Sequence, residues 1–263
     1  MRNVRLIARL DIKLNWLIKG VQMEGWRKVG PPAEFARTYA EGGADELFLM
    51  DAVASLYERN SLLDIVRTVA TEVFVPMTVG GGVRSVEDAN VLLSSGADKV
   101  AINTAATRDP SLISALSDRF GAQATVVSIE AIRSGTNWLA MTDNGRNHTG
   151  RDVLEWASEA EKCGAGEIVL TSIDKDGLGS GFDVDLVRQV SDRVSIPVVA
   201  SGGLGTGDHL VELIDKTEVS GVAVAQALHW RELDLSDLRQ CLRDEGIFVR
   251  PLPEERARYS LSS

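Results

Sequence analysis

Apolar positions recur along this chain in two alternating rhythms. Short apolar runs at Arg5–Leu10, Asp45–Met50, Val73–Val79, Asp98–Ile102, Thr125–Ile129, Glu167–Thr171, around Ile196 and at Gly221–Ala225 read as buried strands. Between them the apolar residues fall three and four apart, as at Leu62, Leu63, Ile65, Val66 and Val69, which marks one face of a helix. The same spacing predicts helices over 33–41, 61–71, 86–95, 151–162, 184–190, 208–214 and 236–244, and Asp109-Pro110 opens another with proline in its first turn. Gly42-Gly43, Gly96 and Gly164 stop three of these helices. Two stretches break the rhythm. Residues 12–32 are too long for a simple connection and read as a lid or binding loop. Residues 137–142, followed by Asn144-Gly145, read as a small inserted hairpin, and Thr149 can cap the helix after it.

Eight strands alternating with helices favour parallel pairing with right-handed crossovers, and eight such units close as a (β/α)8 TIM barrel. We place the barrel at residues 1–250 and a polar, frayed tail at 251–263. A flat doubly wound sheet is the competing architecture. An internal repeat argues against it. Pro76 matches Pro197 (197 − 76 = 121), Gly82 matches Gly203 (203 − 82 = 121), and Glu46 matches Glu167 (167 − 46 = 121). Two similar four-strand halves close symmetrically.

In such barrels the active site lies at the carboxyl ends of the strands. The residues there are Asp11, Asp51, Gly80-Gly81-Gly82, Asn103-Thr104, Glu130, Ser172, Ser201-Gly202-Gly203 and Gln226. Glycine turns after buried strands let backbone N–H groups approach an anion. One such site would use Gly81 and Gly82 with Asn103 and Thr104. The other would use Gly177, Gly202, Gly203 and the turn at Gln226, with Asp176 at the head of its loop. Two matched copies suggest a ligand with two phosphate or similar anionic ends. Lys19 is the natural mobile cation for one end, although a lone lysine in a loop is more often just solvated. Asp11 and Glu130 fall at matching places (130 − 11 = 119). Opposed carboxylates suit paired acid and base work, since environment can push their proton affinities apart. Alternatively, one merely holds Lys19 or a loop amide. At the other end, Arg5, Glu46, Lys99 and Glu167 stand at or near strand starts and would form a ring closing the floor. That ring is either an ion-pair plug or a gate on the barrel axis.

Composition narrows the partners. The 263 residues carry a net charge of −10 with 44% hydrophobic and 25% charged residues, so the surface as a whole attracts neither nucleic acid nor an anionic membrane. No run is long enough to span a bilayer, and Met1-Arg2-Asn3-Val4 begins no signal peptide. Cys163 and Cys241 match no metal spacing and read as isolated thiols in a reducing cytoplasm. The pattern calls for no metal and no cofactor.

Several segments resemble a known family. They are Leu-Asp11-Ile-Lys13, Ile-Lys19-Gly20, Gly-Ala-Asp45-Glu46-Leu, Thr-Val-Gly80-Gly81-Gly82-Val-Arg, Gly-Ala-Asp98-Lys99-Val-Ala-Ile-Asn103-Thr104-Ala, the run from Gly166-Glu167 to Asp176-Gly177, and Ala-Ser201-Gly202-Gly203. Together they resemble the cyclase subunit of imidazole glycerol phosphate synthase (HisF-type) over about the first 250 residues. The resemblance implies a duplicated half-barrel, two phosphate sites, and a glutaminase partner on the barrel floor with Asp98 facing it. It also implies that the partner's ammonia passes the ring and runs down the barrel, which favours the gate over the plug.

The chain departs from that family in four places. Glu130 stands where the family has its second aspartate. Leu14-Asn15-Trp16-Leu17-Ile18 replaces the usual Asp-Gly-Arg-Val-Val before Lys19-Gly20. Gln226 replaces the serine of the last phosphate turn. The stretch 53–61 around Tyr57, Arg59 and Asn60 also differs. Glutamate extends the carboxylate by over ~1 Å, a displacement that can cost about 100-fold in a positioned reaction. These changes resemble the HisF-like paralogs linked to amidation of bacterial surface sugars, which work with a glutaminase and a separate amidotransferase. The expectation is therefore that paralog branch, with the histidine-pathway cyclase, which makes imidazole glycerol phosphate and AICAR from PRFAR and ammonia, as the alternative. A third reading, a non-catalytic ammonia conduit for another protein, would leave Asp11 and Glu130 as binding groups only. Turnover with and without the third protein separates it from the enzymes.

Overall fold

The computed structural model describes residues 3–53 and 61–252. The stretch around Tyr57, Arg59 and Asn60 and nearly all of the tail lie outside the described residues. Twelve strands are described: β1 (Arg5–Lys13), β2 (Trp16–Val21), β3 (Glu24–Gly30), β4 (Glu46–Asp51), β5 (Met77–Gly80), β6 (Lys99–Ile102), β7 (Thr125–Ser134), β8 (Asn137–Thr142), β9 (Asn147–Asp152), β10 (Glu167–Ser172), β11 (Val198–Ser201) and β12 (Gly221–Val224). The helices between them are α1 (Pro32–Glu41), α2 (Ser61–Glu72), α3 (Val86–Ser94), α4 (Thr104–Arg108), α5 (Ser111–Phe120), α6 (Val153–Lys162), α7 (Val184–Ser191), α8 (Gly207–Lys216), α9 (Gln226–His229) and α10 (Leu235–Asp244).

Eight strands pair in parallel in the order β1-β4-β5-β6-β7-β10-β11-β12, and β12 returns to β1. The sheet is therefore a closed (β/α)8 barrel without a free edge. The repeat is visible in the elements: β11 begins 198 − 77 = 121 residues after β5, β10 begins 167 − 46 = 121 after β4, and α8 begins 207 − 86 = 121 after α3. Each half opens on a long strand that outgrows the barrel and folds back as an antiparallel ribbon, β1-β2-β3 in one half and β7-β8-β9 in the other.

The first ribbon corrects the expectation of a loop over 12–32. Its turns are built by residues with left-handed backbone, Leu14 (φ 55°), Gln22 (φ 50°) and Met23 (φ 62°), none of which carries a glycine or asparagine signal. The second ribbon has a third strand, β9, which holds Thr149. Thr149 therefore caps no helix. Asp152 caps α6 instead, its carboxylate accepting from the N–H groups of Leu154 and Glu155. Two short helices, α4 and α9, follow β6 and β12 at matching places and were not anticipated.

Successive strand residues point to opposite faces. Outward side chains pack against the helices in the main core. Inward side chains stack in layers along the axis. Lowest is the floor layer. Above it is an apolar belt of Ile7, Phe48, Ala101, Val126, Val169, Val199 and Ala223. Next is a buried polar layer with Arg9, Ser128, Thr171 and Ser201. Asp11 and Glu130 follow at the mouth.

A clasp at the chain end holds the start of β4. Arg239 of α10 is fully buried, donates to the Gly43 carbonyl at 3.0 Å and pairs with Asp45 at 2.6 Å. Arg250 reaches the same carboxylate at 2.6 Å. Among the described residues no helix is long and apolar enough to cross a membrane.

Candidate functional site

The floor ring forms as the sequence placed it. Glu46 and Glu167 are buried, and each is held between two cations. Arg5 meets Glu46 at 2.8 Å and also pairs with Glu167, while Lys99 lies 3.0 Å from Glu46 and 2.7 Å from Glu167. Burial alone would raise the proton affinity of Glu167, but Arg5 and Lys99 outweigh it and leave the group below the ordinary carboxylate range. Asp98 is exposed beside the ring at the start of β6, where its carboxylate accepts from the Met77 N–H at 2.7 Å.

At the mouth, β1 and β7 stand four strands apart in a ring of eight, so Asp11 and Glu130 approach the axis from opposite sides. Their environments differ. Asp11 accepts from Arg9 Nε at 2.9 Å. Burial pushes its proton affinity up, but the charges of Arg9 and Lys19 bring it below the ordinary value, with His229 adding to them. Glu130 is buried and accepts from the Gly145 N–H at 2.8 Å. Burial dominates there. The Gly145 N–H and Arg9 oppose it, the Asp11 charge reinforces it, and the group is pushed up to about 7.

The first glycine turn opens on a cavity of about 330 Å³ lined by Gly81, Gly82, Asn103, Thr104 and Glu130. Gly81 (φ 104°) and Gly82 (φ 64°) have left-handed backbone, and a Cβ on Gly81 would lie 2.6 Å from the Asp51 carbonyl oxygen. Only glycine fits there. Arg84 and Arg108 also line this cavity, and Arg108 lies 3.6 Å from Asp143 of the second ribbon.

The second cavity, of about 400 Å³, is lined by Lys19, Gly177, Gln226 and Trp230 among others. Gly202 and Gly203 pack against the loop 176–181, where the Gly181 N–H donates to the Gly203 carbonyl at 2.8 Å. Lys19 is not solvated. It is buried and lies 2.8 Å from each oxygen of Asp176. The Gln226 side-chain oxygen is buried beside Gly177.

Sequence reasoning missed Arg9, Arg84, Arg108 and His229. Arg9 had a usable signal: it shares the inward face with Arg5, Ile7 and Asp11 by strict alternation, so a charge inside the barrel was readable. His229, buried with its Nδ1 2.7 Å from the Tyr39 hydroxyl, depends on α9, which no periodicity announced. Burial drives its pKa down to about 4.

A closed, duplicated (β/α)8 barrel with a charged ring at one end, opposed carboxylates at the other and two cavities, one on the Gly81-Gly82 turn and one between the first ribbon and Gly177 with Gly202 and Gly203 outside its lining, defines a class of small-molecule enzyme barrel. Residues 5–234 match the histidine biosynthesis protein family, and the chain belongs to that family. It is 64% identical over 206 residues to the imidazole glycerol phosphate synthase subunit HisF of Legionella pneumophila, covering 78% of this chain and 97% of that protein. It is 43% identical over 251 residues to the subunit of the same name from Streptococcus mutans, covering 95% of this chain and all of the relative. These relatives favour the cyclase alternative over the surface-sugar branch that the departures suggested.

Proposed function

We propose that this chain is the ammonia-using cyclase subunit of an imidazole glycerol phosphate synthase, converting PRFAR and ammonia to imidazole glycerol phosphate and AICAR. The observation that carries the reading is the pair of opposed carboxylates with unlike proton affinities at the barrel mouth. Asp11, ionised, suits a general base. Glu130, poised near 7, suits a general acid at neutral pH. One cavity sits on the Gly81-Gly82 turn and the other between the first ribbon and the Gly177 and Gln226 turns, and together they suit the two phosphate ends of PRFAR. Gly81, Gly82, Asn103 and Thr104 would serve one end. Gly177, Gly202, Gly203 and Gln226 would serve the other, with Lys19 and Asp176 fixing its wall. The floor ring would admit ammonia from a glutaminase docked against the Asp98 side, making a heterodimer. No cofactor enters this scheme, which belongs to cytoplasmic metabolism.

A second reading, amidation of a surface sugar with a separate amidotransferase, is favoured by two residues. Glu130 carries one methylene more than the family's aspartate, and Gln226 puts a carboxamide where the family places a serine. The deciding experiment incubates the purified chain with PRFAR and ammonium salts and measures AICAR release. Sustained release supports the cyclase. No release, with inorganic phosphate still binding both cavities, transfers support to the second reading.

A further inference from the structure

Arg9 lies on the barrel axis between the floor ring and the mouth pair, and the scheme above gives it no role of its own. It is 4% exposed. Its Nε donates to Asp11 at 2.9 Å, and its Nη1 donates to Thr171 Oγ1 at 2.8 Å and Ser201 Oγ at 3.2 Å. The guanidinium carbon stands 5.6 Å from the Phe48 ring centroid. Four strands, β1, β4, β10 and β11, thus fix one side chain. A guanidinium keeps its charge at any working pH, and burying it is unfavourable unless it is paired and hydrogen-bonded. An apolar side chain could fill the same layer without that penalty. The two hydroxyls and the carboxylate therefore form a seat built for a cation in contact with Asp11.

We propose that Arg9 is a positioning residue that divides the roles of the two mouth carboxylates: it holds Asp11 ionised and in one orientation, which makes Asp11 the proton acceptor and leaves Glu130 the donor. The groups facing Asp11 are Arg9 on its own strand, Lys19 from β2, His229 from α9 and Glu130 across the axis. Lys19 is itself engaged by Asp176, so Arg9 is the cation in direct contact. The groups facing Glu130 are the Gly145 N–H, Asn103, Arg9 and Asp11. Without Arg9, Lys19 and His229 still favour the ionised Asp11, but its cation in direct contact is gone and the two carboxylates draw together in proton affinity. They then compete for one proton, as a coupled pair does.

The catalytic part of this inference rests on the cyclase reading, but the charge assignment does not. The test is a carboxyl carbon-13 NMR titration of the unmodified chain, Arg9→Met and Arg9→Lys, with Asp11→Asn and Glu130→Gln spectra for assignment. In the unmodified chain Asp11 titrates well below Glu130. Arg9→Met is expected to raise the Asp11 midpoint by about one unit or more, as loss of an adjacent opposite charge does. Arg9→Lys is expected to keep the order of the two groups. With PRFAR and ammonium salts, Arg9→Met should lower kcat about tenfold or more and move the acidic limb of the pH profile upward, and Arg9→Lys should recover part of both. An Asp11 midpoint unmoved in Arg9→Met overturns the proposal and returns Arg9 to packing. If Arg9→Met fails to fold, Thr171→Val with Ser201→Ala frees the guanidinium instead. A smaller rise at Asp11 then supports the proposal, and no rise overturns it. Titrations as expected without PRFAR turnover leave the charge assignment standing and count against the cyclase reading alone.

Discussion

Replacing Glu130 by glutamine should make the protein more stable at alkaline pH. The folded chain holds this carboxyl at about 7, against an ordinary value of 4.5. Between those values the folded state binds more protons than the unfolded state, so stability falls as pH rises through the window and levels off above it. At ~1.36 kcal/mol per unit, the full cost of ionising Glu130 in place is about 3 kcal/mol. Below the unfolded value the cost vanishes, and at pH 5 it is about 1 kcal/mol. Glutamine has nearly the same shape, stays neutral, and can still accept from the Gly145 N–H through its carboxamide oxygen. Thermal or urea unfolding of Glu130→Gln and the unmodified chain at pH 5 and 8.5 measures the difference. A barrel of this size should melt roughly 6–12 °C higher at pH 8.5 with glutamine, with a much smaller gain at pH 5. The same variant should lose the proton-donating step, which would make Glu130 a site where activity is kept at the expense of stability. Equal melting at pH 8.5, or a gain that does not shrink toward pH 5, would refute the reasoning.

Two further outcomes are expected. Lys99→Ala should uncouple glutamine consumption from product formation in the complex with the glutaminase while sparing turnover of free ammonia. Equal losses with both nitrogen sources would make the ring a structural plug. Inorganic phosphate should raise the melting temperature by binding the glycine-turn cavities, and Gly82→Val should remove part of that rise. Gly203→Val is the poorer probe, because its Cβ would lie 2.3 Å from the Gly181 carbonyl oxygen and the fold would suffer first. An unchanged melting temperature at high phosphate counts against both cavities.

The parts of the fold legible in the sequence were those governed by local periodicity. The inner-face alternation of β1, β4, β6 and β10 places Arg5, Glu46, Lys99 and Glu167 in one layer, and the 121-residue repeat closes the barrel. The ribbon after β1 was not legible, because Leu14, Gln22 and Met23 make its turns in a left-handed conformation that tertiary packing imposes. The ion pair of Lys19 was not legible for a related reason. Its partner Asp176 is 157 residues away, and nothing local marks a pair that only barrel closure brings together. Thr149 had the chemistry of a cap, but the third strand of the second ribbon claimed its backbone, and Asp152 took the role. Gly81 and Gly203 were legible as turns. That each packs against a carbonyl from a distant segment with no space for a side chain is set by the tertiary fold.

The clasp at the chain end bears on how this protein is made. Asp45 precedes the second barrel strand and is translated early, yet both of its arginines, Arg239 and Arg250, emerge some two hundred residues later. Strand β1 is likewise made first and must wait for β12 to complete its second row of hydrogen bonds. A nascent chain that ends before residue 221 would carry the Asp45 carboxylate without its counter-charges and an open seam beside β1, and one that ends between β12 and Arg250 would close the seam with the clasp still incomplete. Ribosome-stalled chains of increasing length should therefore resist proteolysis abruptly, when the last helix and Arg250 become available, rather than strand by strand as the barrel is synthesised.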